Sequence, residues 1–275
     1  MSPSLTEYYC ASIAPGRVAL LRVRRGWRPA IVGKSLAVGA AKPADFSWQA
    51  ELGLLAGLLG EARRGLALCV TLSNHYLRYS LVPAHPWSMP VAGAQEMVRH
   101  CFREVYGEAA DGWQICANPL PDHGDAVACA VDMALVEGLK AAAEKSGLRL
   151  ASLQPYFMTG FNAARRSIGG AAACFAQVEP GRIVLGTMRD QSWVGLRAVA
   201  ATPRWNEELA EHIGREILLA GWEDTRPAVF LYAPEAGLTP GELPGWEPSH
   251  ILPRNMDGYS PQQDVPYAMA LSGVR

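Results

Sequence analysis

No stretch of this sequence is both long enough and apolar enough to cross a bilayer. The run Leu52–Leu59 is the longest apolar segment, and a spanning helix needs about 20 residues. The first residues, Met-Ser-Pro-Ser-Leu-Thr-Glu, lack the basic start and apolar core of a signal peptide. Charge is scarce: 19% of residues carry one and the formal net charge is −1, so nothing predicts long-range attraction to nucleic acid or acidic lipid. No C-x-x-C pair occurs. Cys10, Cys69, Cys101, Cys116, Cys129 and Cys174 are scattered among small apolar neighbours, which predicts core thiols in a reducing compartment. G-x-S-x-G and H-E-x-x-H are both absent, and His75, His85, His100, His212 and His250 show no ligand spacing. These absences predict a soluble, cytoplasmic chain without hydrolase or metalloprotease chemistry.

What is present is a globular composition, 49% apolar over 275 residues, enough for one large domain or two modest ones. The segment Ala11–Trp27 returns, altered, as Ala176–Trp193: Ala11, Pro15, Gly16, Arg17, Leu20 and Arg24 match the residues 165 places on, and Trp27 matches Trp193 after one insertion. A single recurrence predicts two related halves rather than a solenoid. Each half opens with a hairpin turning at Pro-Gly, at residues 15–16 and 180–181. In the first half, strands over 8–13, 17–23 and 30–38 precede a helix over 49–60 with Leu52, Leu55, Leu58 and Leu59 at helical spacing. Strands 67–72 and 76–82 read as a second hairpin around Ser73-Asn74-His75, and the proline-rich stretch 83–90 as a boundary. A helix over 92–106, short strands 113–117 and 126–131, a helix over 133–146 behind Asp132 and a strand 148–153 read as a small α/β module inserted at about 84–150. A helix over 156–167 ends the first half. The second half repeats strands 173–178, 182–189 and 193–200, a helix over 206–219 and a buried strand 229–232, with a short helix near 262–271. The expected domains are 1–168 and 169–275.

Two β-β-β-α halves with such a module resemble the actin, sugar-kinase and heat-shock-chaperone ATPases. The expected fold class is α/β, a two-lobed actin-like (RNase H-like) ATPase fold. The segment Ala130–Pro155 is similar to the strand, helix, "aGL" and strand connector of the family of the pilus assembly protein PilM and the cytoplasmic domain of the type II secretion protein GspL. The resemblance implies a cytoplasmic protein peripheral to the inner membrane, bound through the cytoplasmic tail of a PilN-like bitopic membrane partner. It implies no direct membrane or nucleic-acid contact, and it leaves homo-oligomerisation open.

In active members of that superfamily phosphates lie against glycine-bearing hairpin turns, because only Gly lets backbone N–H groups approach the anion closely. Their first hairpin reads Asp-x-Gly, the Asp organising the metal. The matching positions here are Ser12 and Ala14, and in the second hairpin Gln177 and Glu179. The Gly-Gly adenosine loop is replaced by Ala233-Pro234-Glu235, where Pro234 has no N–H to donate and Glu235 carries the wrong charge. The expectation is a degenerate, nucleotide-free site with no cofactor, no metal and no catalysis. An active ATPase or sugar kinase of the same fold is the alternative, and a nuclease of the RNase H-like class would need converging carboxylates that these strands do not offer.

The remaining candidates read more plainly. Arg17 and Arg182 of the repeated Pro-Gly-Arg serve turn chemistry, or converge to hold an anion or a partner's carboxylate. Gly33-Lys34-Ser35 imitates the end of a phosphate loop but falls in a strand and lacks the preceding Gly, Arg28 standing there. Asp122-His123-Gly124-Asp125 reads as a solvated turn, and Glu207, Glu208 and Glu211 as charges complementing a helix dipole. Arginines cluster at 22, 24, 25 and 28 and at 165–166, a pattern of solvated strand and helix ends. Trp27, Trp193 and the loop residue Trp87 remain as candidate interface anchors.

Overall fold

A computed structural model describes residues 7–39, 47–83, 91–118, 125–222, 224–236 and 243–274. The chain forms two compact units. One comprises Met1–Leu77, Met133–Ala163 and Pro253–Arg275; the other comprises Arg78–Asp132 and Ala164–Leu252.

The first unit is built on a five-stranded sheet. Strands β1 (Glu7–Ala14), β2 (Arg17–Arg24) and β3 (Ala30–Val38) form an antiparallel meander, and β4 (Ala67–Leu72) and β8 (Arg149–Pro155) add in parallel on the β1 side, giving the order β3-β2-β1-β4-β8. β1 is buried along nearly its whole length, which is why it reads as a continuous apolar run rather than an alternating one. Helix α1 (Gln49–Gly60) lies between β3 and β4 in the chain and packs against α3 (Met133–Lys145). The two approach closely at Gly138, where a Cβ would collide with the Leu52 side chain. Helix α4 (Tyr156–Ala164) follows β8, and its second residue is tied back to the end of β4: Phe157 N–H donates to the buried Asn74 Oδ1 at 3.1 Å.

The second unit repeats the plan. β9 (Ala172–Glu179), β10 (Arg182–Arg189) and β11 (Ser192–Ala200) form the meander, α5 (Trp205–Leu219) follows, and β12 (Ala228–Tyr232) pairs in parallel with β9. With the short β13 (Ser249–His250) the order is β11-β10-β9-β12-β13, the first sheet's topology again. Its core gathers Cys174, Leu185, Ile213, Trp222, Leu231 and their neighbours. The duplication read from the sequence is therefore structural.

Three sequence expectations fail here. β4 and β5 (Leu77–Val82) are not a hairpin: a 3-10 turn over Asn74–Tyr76 passes the chain from the first sheet to a separate one, ordered β5-β7-β6 with β6 (Trp113–Asn118) and β7 (Ala126–Asp132). Turn-forming residues between two apolar runs are ambiguous, because the same local chemistry serves a hairpin and a change of sheet. The expected module 84–150 is also too long. β8 joins the first sheet and α3 packs on α1 in the same unit, and the module that remains, with helix α2 (Val91–Tyr106), packs Phe102, Tyr106 and Trp113 ring against ring. The C-terminal segment, finally, does not stay with the second half. Helix α6 (Ala268–Ser272) puts Ala270 and Leu271 into the first unit's core beside Tyr8, Cys10 and Leu21, covering an apolar face that those strands present.

Candidate functional site

The repeated hairpin turns are the natural place to look for chemistry. In the first, Gly16 takes φ +70°, a left-handed conformation that favours glycine. Its carbonyl accepts the Gly39 N–H at 2.8 Å, and its own N–H donates to Glu51 Oε1 at 2.8 Å. Glu51 lies in the first turn of α1 and is 5% exposed. The amide that could face an external anion is thus engaged by a carboxylate of the same chain, held where the helix N-terminus favours negative charge. The Gly16 N–H is therefore already taken and is not a free donor to an external anion. Ser12 is buried on β1 between Ala19 and Thr71, a neutral hydroxyl where a metal-organising acid would be needed, and the buried Ala14 sits opposite Arg17 at the hairpin end.

In the second hairpin Gly181 takes φ +80° and its carbonyl accepts from Ala201 N–H at 3.0 Å, the same closure as in the first. Gln177 is fully buried between Val184 and Tyr232. Glu179, 2% exposed, faces Arg182 across the turn. Burial and the neighbouring Arg78 push the Arg182 guanidinium below its ordinary pKa, with Glu179 acting in the opposite direction. The Arg182 Nε has no hydrogen-bond partner among the described residues. In the matching helix of this unit, α5, the first-turn acids have other partners: Glu207 pairs with Arg204, and Glu208 accepts from the Thr202 N–H and hydroxyl, which holds its carboxyl below the usual range.

After β12 the chain turns tightly, Ala236 N–H donating to the Ala233 carbonyl at 3.2 Å. Pro234 occupies this turn and Ala233 packs on the second unit's core. Ser12 and Gln177 thus lie within β1 and β9, Ala14, Arg17, Glu179 and Arg182 flank the two hairpin turns, and Ala233, Pro234 and Glu235 follow the end of β12. Ser12, Ala14 and Arg17 lie in the first unit, and Gln177, Glu179, Arg182, Ala233, Pro234 and Glu235 in the second.

The other candidates resolve individually. Lys34 lies in strand β3 and its Nζ bonds Asp264 Oδ2 at 2.6 Å, so Gly33-Lys34-Ser35 forms no phosphate loop. Asp122, His123, Gly124, His85 and Trp87 fall outside the described residues, while Asp125 makes a bridge to Trp193. Among the described residues no three His, Cys, Asp or Glu side chains gather as a metal site. Trp27 and Trp193, equivalent by sequence, part company. Trp193 is buried in β11 over Gly186, whereas Trp27 is wholly exposed in the loop between β2 and β3. The residue that sequence reasoning missed is Glu51. An acid in a helix's first turn is ordinary, and its partner is 35 residues away, so no local signal marks it.

No family model matches the sequence, and no curated protein matches it. Solved structures do. One chain of a PilM–PilN type IV pilus biogenesis complex superposes with a TM-score of 0.67 at 16% identity, covering 97% of each chain. A Bacteroides thetaiotaomicron protein with actin-like ATPase fold and unknown function gives 0.58 at 9% identity, over 85% of this chain and 84% of that one. The cytoplasmic domain of EpsL, an inner membrane component of the Vibrio cholerae type II secretion system, gives 0.53 at 13%, over 97% and 94%. With two sheets of matching topology, these likenesses establish the fold as the two-lobed actin-like ATPase fold.

Proposed function

We propose that this chain is a non-catalytic scaffold of an inner-membrane assembly platform, serving type IV pilus-like or type II secretion-like machinery, and that it binds the cytoplasmic tail of a bitopic PilN-like membrane protein. The near-complete mutual coverage with a chain of the PilM–PilN complex and with the EpsL cytoplasmic domain supports the setting. The observation that carries the non-catalytic part is the Glu51 carboxylate on the Gly16 N–H, an internal anion seated where the phosphate-binding turn of an active relative needs a free donor. Ser12, Ala14, Gln177, Glu179 and the Ala233-Pro234-Glu235 turn point the same way, since each replaces an acid, a glycine or a donor that nucleotide chemistry requires.

Attachment to the membrane machinery then runs through the partner. Among the described residues no helix is long and apolar enough to cross a membrane. Calorimetry with a synthetic peptide of the cytoplasmic tail of a bitopic protein encoded beside this chain tests the reading: saturable, one-to-one binding unaffected by Mg-ATP is expected. No binding by that tail, or its replacement by a sugar-dependent ATP turnover, overturns it.

A further inference from the structure

The arginine cluster at 24–28 and the exposed Trp27 are not used by the scaffold reading, and the structure gathers them at one place. The loop between β2 and β3 runs Arg25-Gly26-Trp27-Arg28-Pro29, with Arg24 closing β2. It faces the segment Arg254–Asp257 across an open cleft of about 520 Å3, which Trp27, Arg28, Arg254 and Asn255 help line. Both walls are fixed. Ile31 N–H donates to the Asp257 carbonyl at 2.8 Å, and Gly258, at φ +83°, comes so close to the Ile31 carbonyl that a Cβ would collide with it. Met256 and Tyr259 anchor the segment in the first unit's core, and Arg25 lies 4.8 Å over the Tyr8 ring. The loop therefore presents its side chains from a braced frame.

The chemistry it presents is lopsided. Arg24, Arg25, Arg28 and Arg254 are exposed, with Asp257 as the carboxylate in the cleft lining. The Arg24 and Arg28 guanidinium groups make no ion pair or hydrogen bond among the described residues. Trp27 is 100% exposed, an unusual cost for an indole in water, while its relative Trp193 is buried. An indole flanked by unpaired guanidiniums matches the interface of an anionic bilayer, where the ring sits at headgroup depth and the cations meet lipid phosphates.

We propose that this Arg–Trp loop is a direct contact for an anionic phospholipid surface, the cleft receiving a phosphate headgroup and Trp27 entering the interface. A bilayer is favoured over an acidic peptide because a peptide anchor needs an apolar pocket, and Met256, the apolar side chain of the facing segment, is committed to the core. It is favoured over single-stranded nucleic acid because that partner uses successive stacking platforms, and this cleft offers one aromatic ring. The whole-chain charge of −1 conceals such a local patch. A weak direct contact also suits a protein whose main attachment is a partner's tail, since stable anchoring takes two signals.

The test uses the protein alone and so fails or succeeds independently of the partner reading. The full chain is sedimented with vesicles of pure phosphatidylcholine and of phosphatidylcholine mixed with phosphatidylglycerol. Binding to the mixed vesicles only, weakened by salt, is expected. Arg28→Ala should weaken it about fivefold and Arg24→Ala with Arg28→Ala about 25-fold, at about fivefold per arginine. Trp27→Ala should weaken it about tenfold. Arg103→Ala, which removes an exposed charge from the inserted module, should leave it unchanged, and thermal melts should show all variants folded. Equal binding to both vesicle types, insensitivity to Trp27→Ala and Arg28→Ala, full displacement by soluble glycerophosphate, or capture of polyglutamate with no vesicle binding would each overturn the proposal.

Discussion

Glu51 Oε1 accepts the Gly16 N–H at 2.8 Å, both groups buried and 35 residues apart in the chain. This bond joins the first turn of α1 to the first hairpin, and it gives the turn an occupant of its own. Glu51→Ala should destabilise the protein by about 1–3 kcal/mol in urea unfolding, because it strands a buried donor and deletes a charged acceptor. Glu51→Gln keeps an acceptor oxygen and should lose less. An alanine variant as stable as the parent would mean that the carboxylate does not hold the turn.

Lys34 and Asp264 tie edge strand β3 to the C-terminal segment, adding an ion pair to the core packing that secures that segment to the first sheet. Burial raises the Asp264 carboxyl, but the hydrogen bonds from Lys34 and from Ser260 N–H outweigh it and leave the group below its ordinary pKa. A depressed folded-state pKa means stability that is present above the ordinary carboxylate range, about 4, and lost as pH falls through the depressed value. Lys34→Met should cost about 1 kcal/mol, given the part-exposed lysine, and Asp264→Asn should flatten the acid limb of a stability–pH curve. An unchanged acid limb in Asp264→Asn would remove Asp264 from the account.

Gly186 and Trp193 fit closely across the β10–β11 pair: a Cβ on Gly186 would overlap the indole ring. Gly186→Ala should therefore destabilise by about 1–3 kcal/mol and shift the environment of Trp193, seen in near-ultraviolet circular dichroism. The equivalent residue of the first half, Leu21, is itself buried and leaves no room for a ring.

The cysteines should separate by reactivity. Cys116 is exposed on β6, whereas burial pushes the Cys129 thiol up strongly and the Cys174 thiol up to about 12. Under native conditions iodoacetamide should modify Cys116 first and leave Cys10, Cys69 and Cys174 unlabelled until unfolding, as mass spectrometry of tryptic peptides would show. Early modification of Cys174 would contradict its burial under α5.

Much of this architecture is written locally. The Pro-Gly turns, the Leu spacing of α1 and the recurring Ala11–Trp27 segment each depend on neighbours in sequence, and the two meanders appear where those signals stand. What stays hidden is non-local. Nothing near Ala270 and Leu271 says that they return to Tyr8 and Cys10, and nothing near Ser73-Asn74 says that β4 and β5 enter different sheets. The parting of Trp27 and Trp193 does have a sequence signal. Gly186 interrupts a strand, and only two residues, Asp190 and Gln191, link β10 to β11, both at positive φ as in a hairpin turn whose twist suits the strands. The first half has five residues there and a leucine in place of the glycine. At the site, side-chain identities at 12, 14, 177 and 179 were legible because the repeat fixes their register. Glu51 was not, because only the fold brings it to Gly16.

The central claim is that the chain keeps the frame of an actin-like ATPase without its nucleotide chemistry. Isothermal titration of the protein with Mg-ATP measures this directly. The account predicts no saturable heat in the micromolar range; a micromolar Kd, with Gly16 amide shifts on binding, would contradict it.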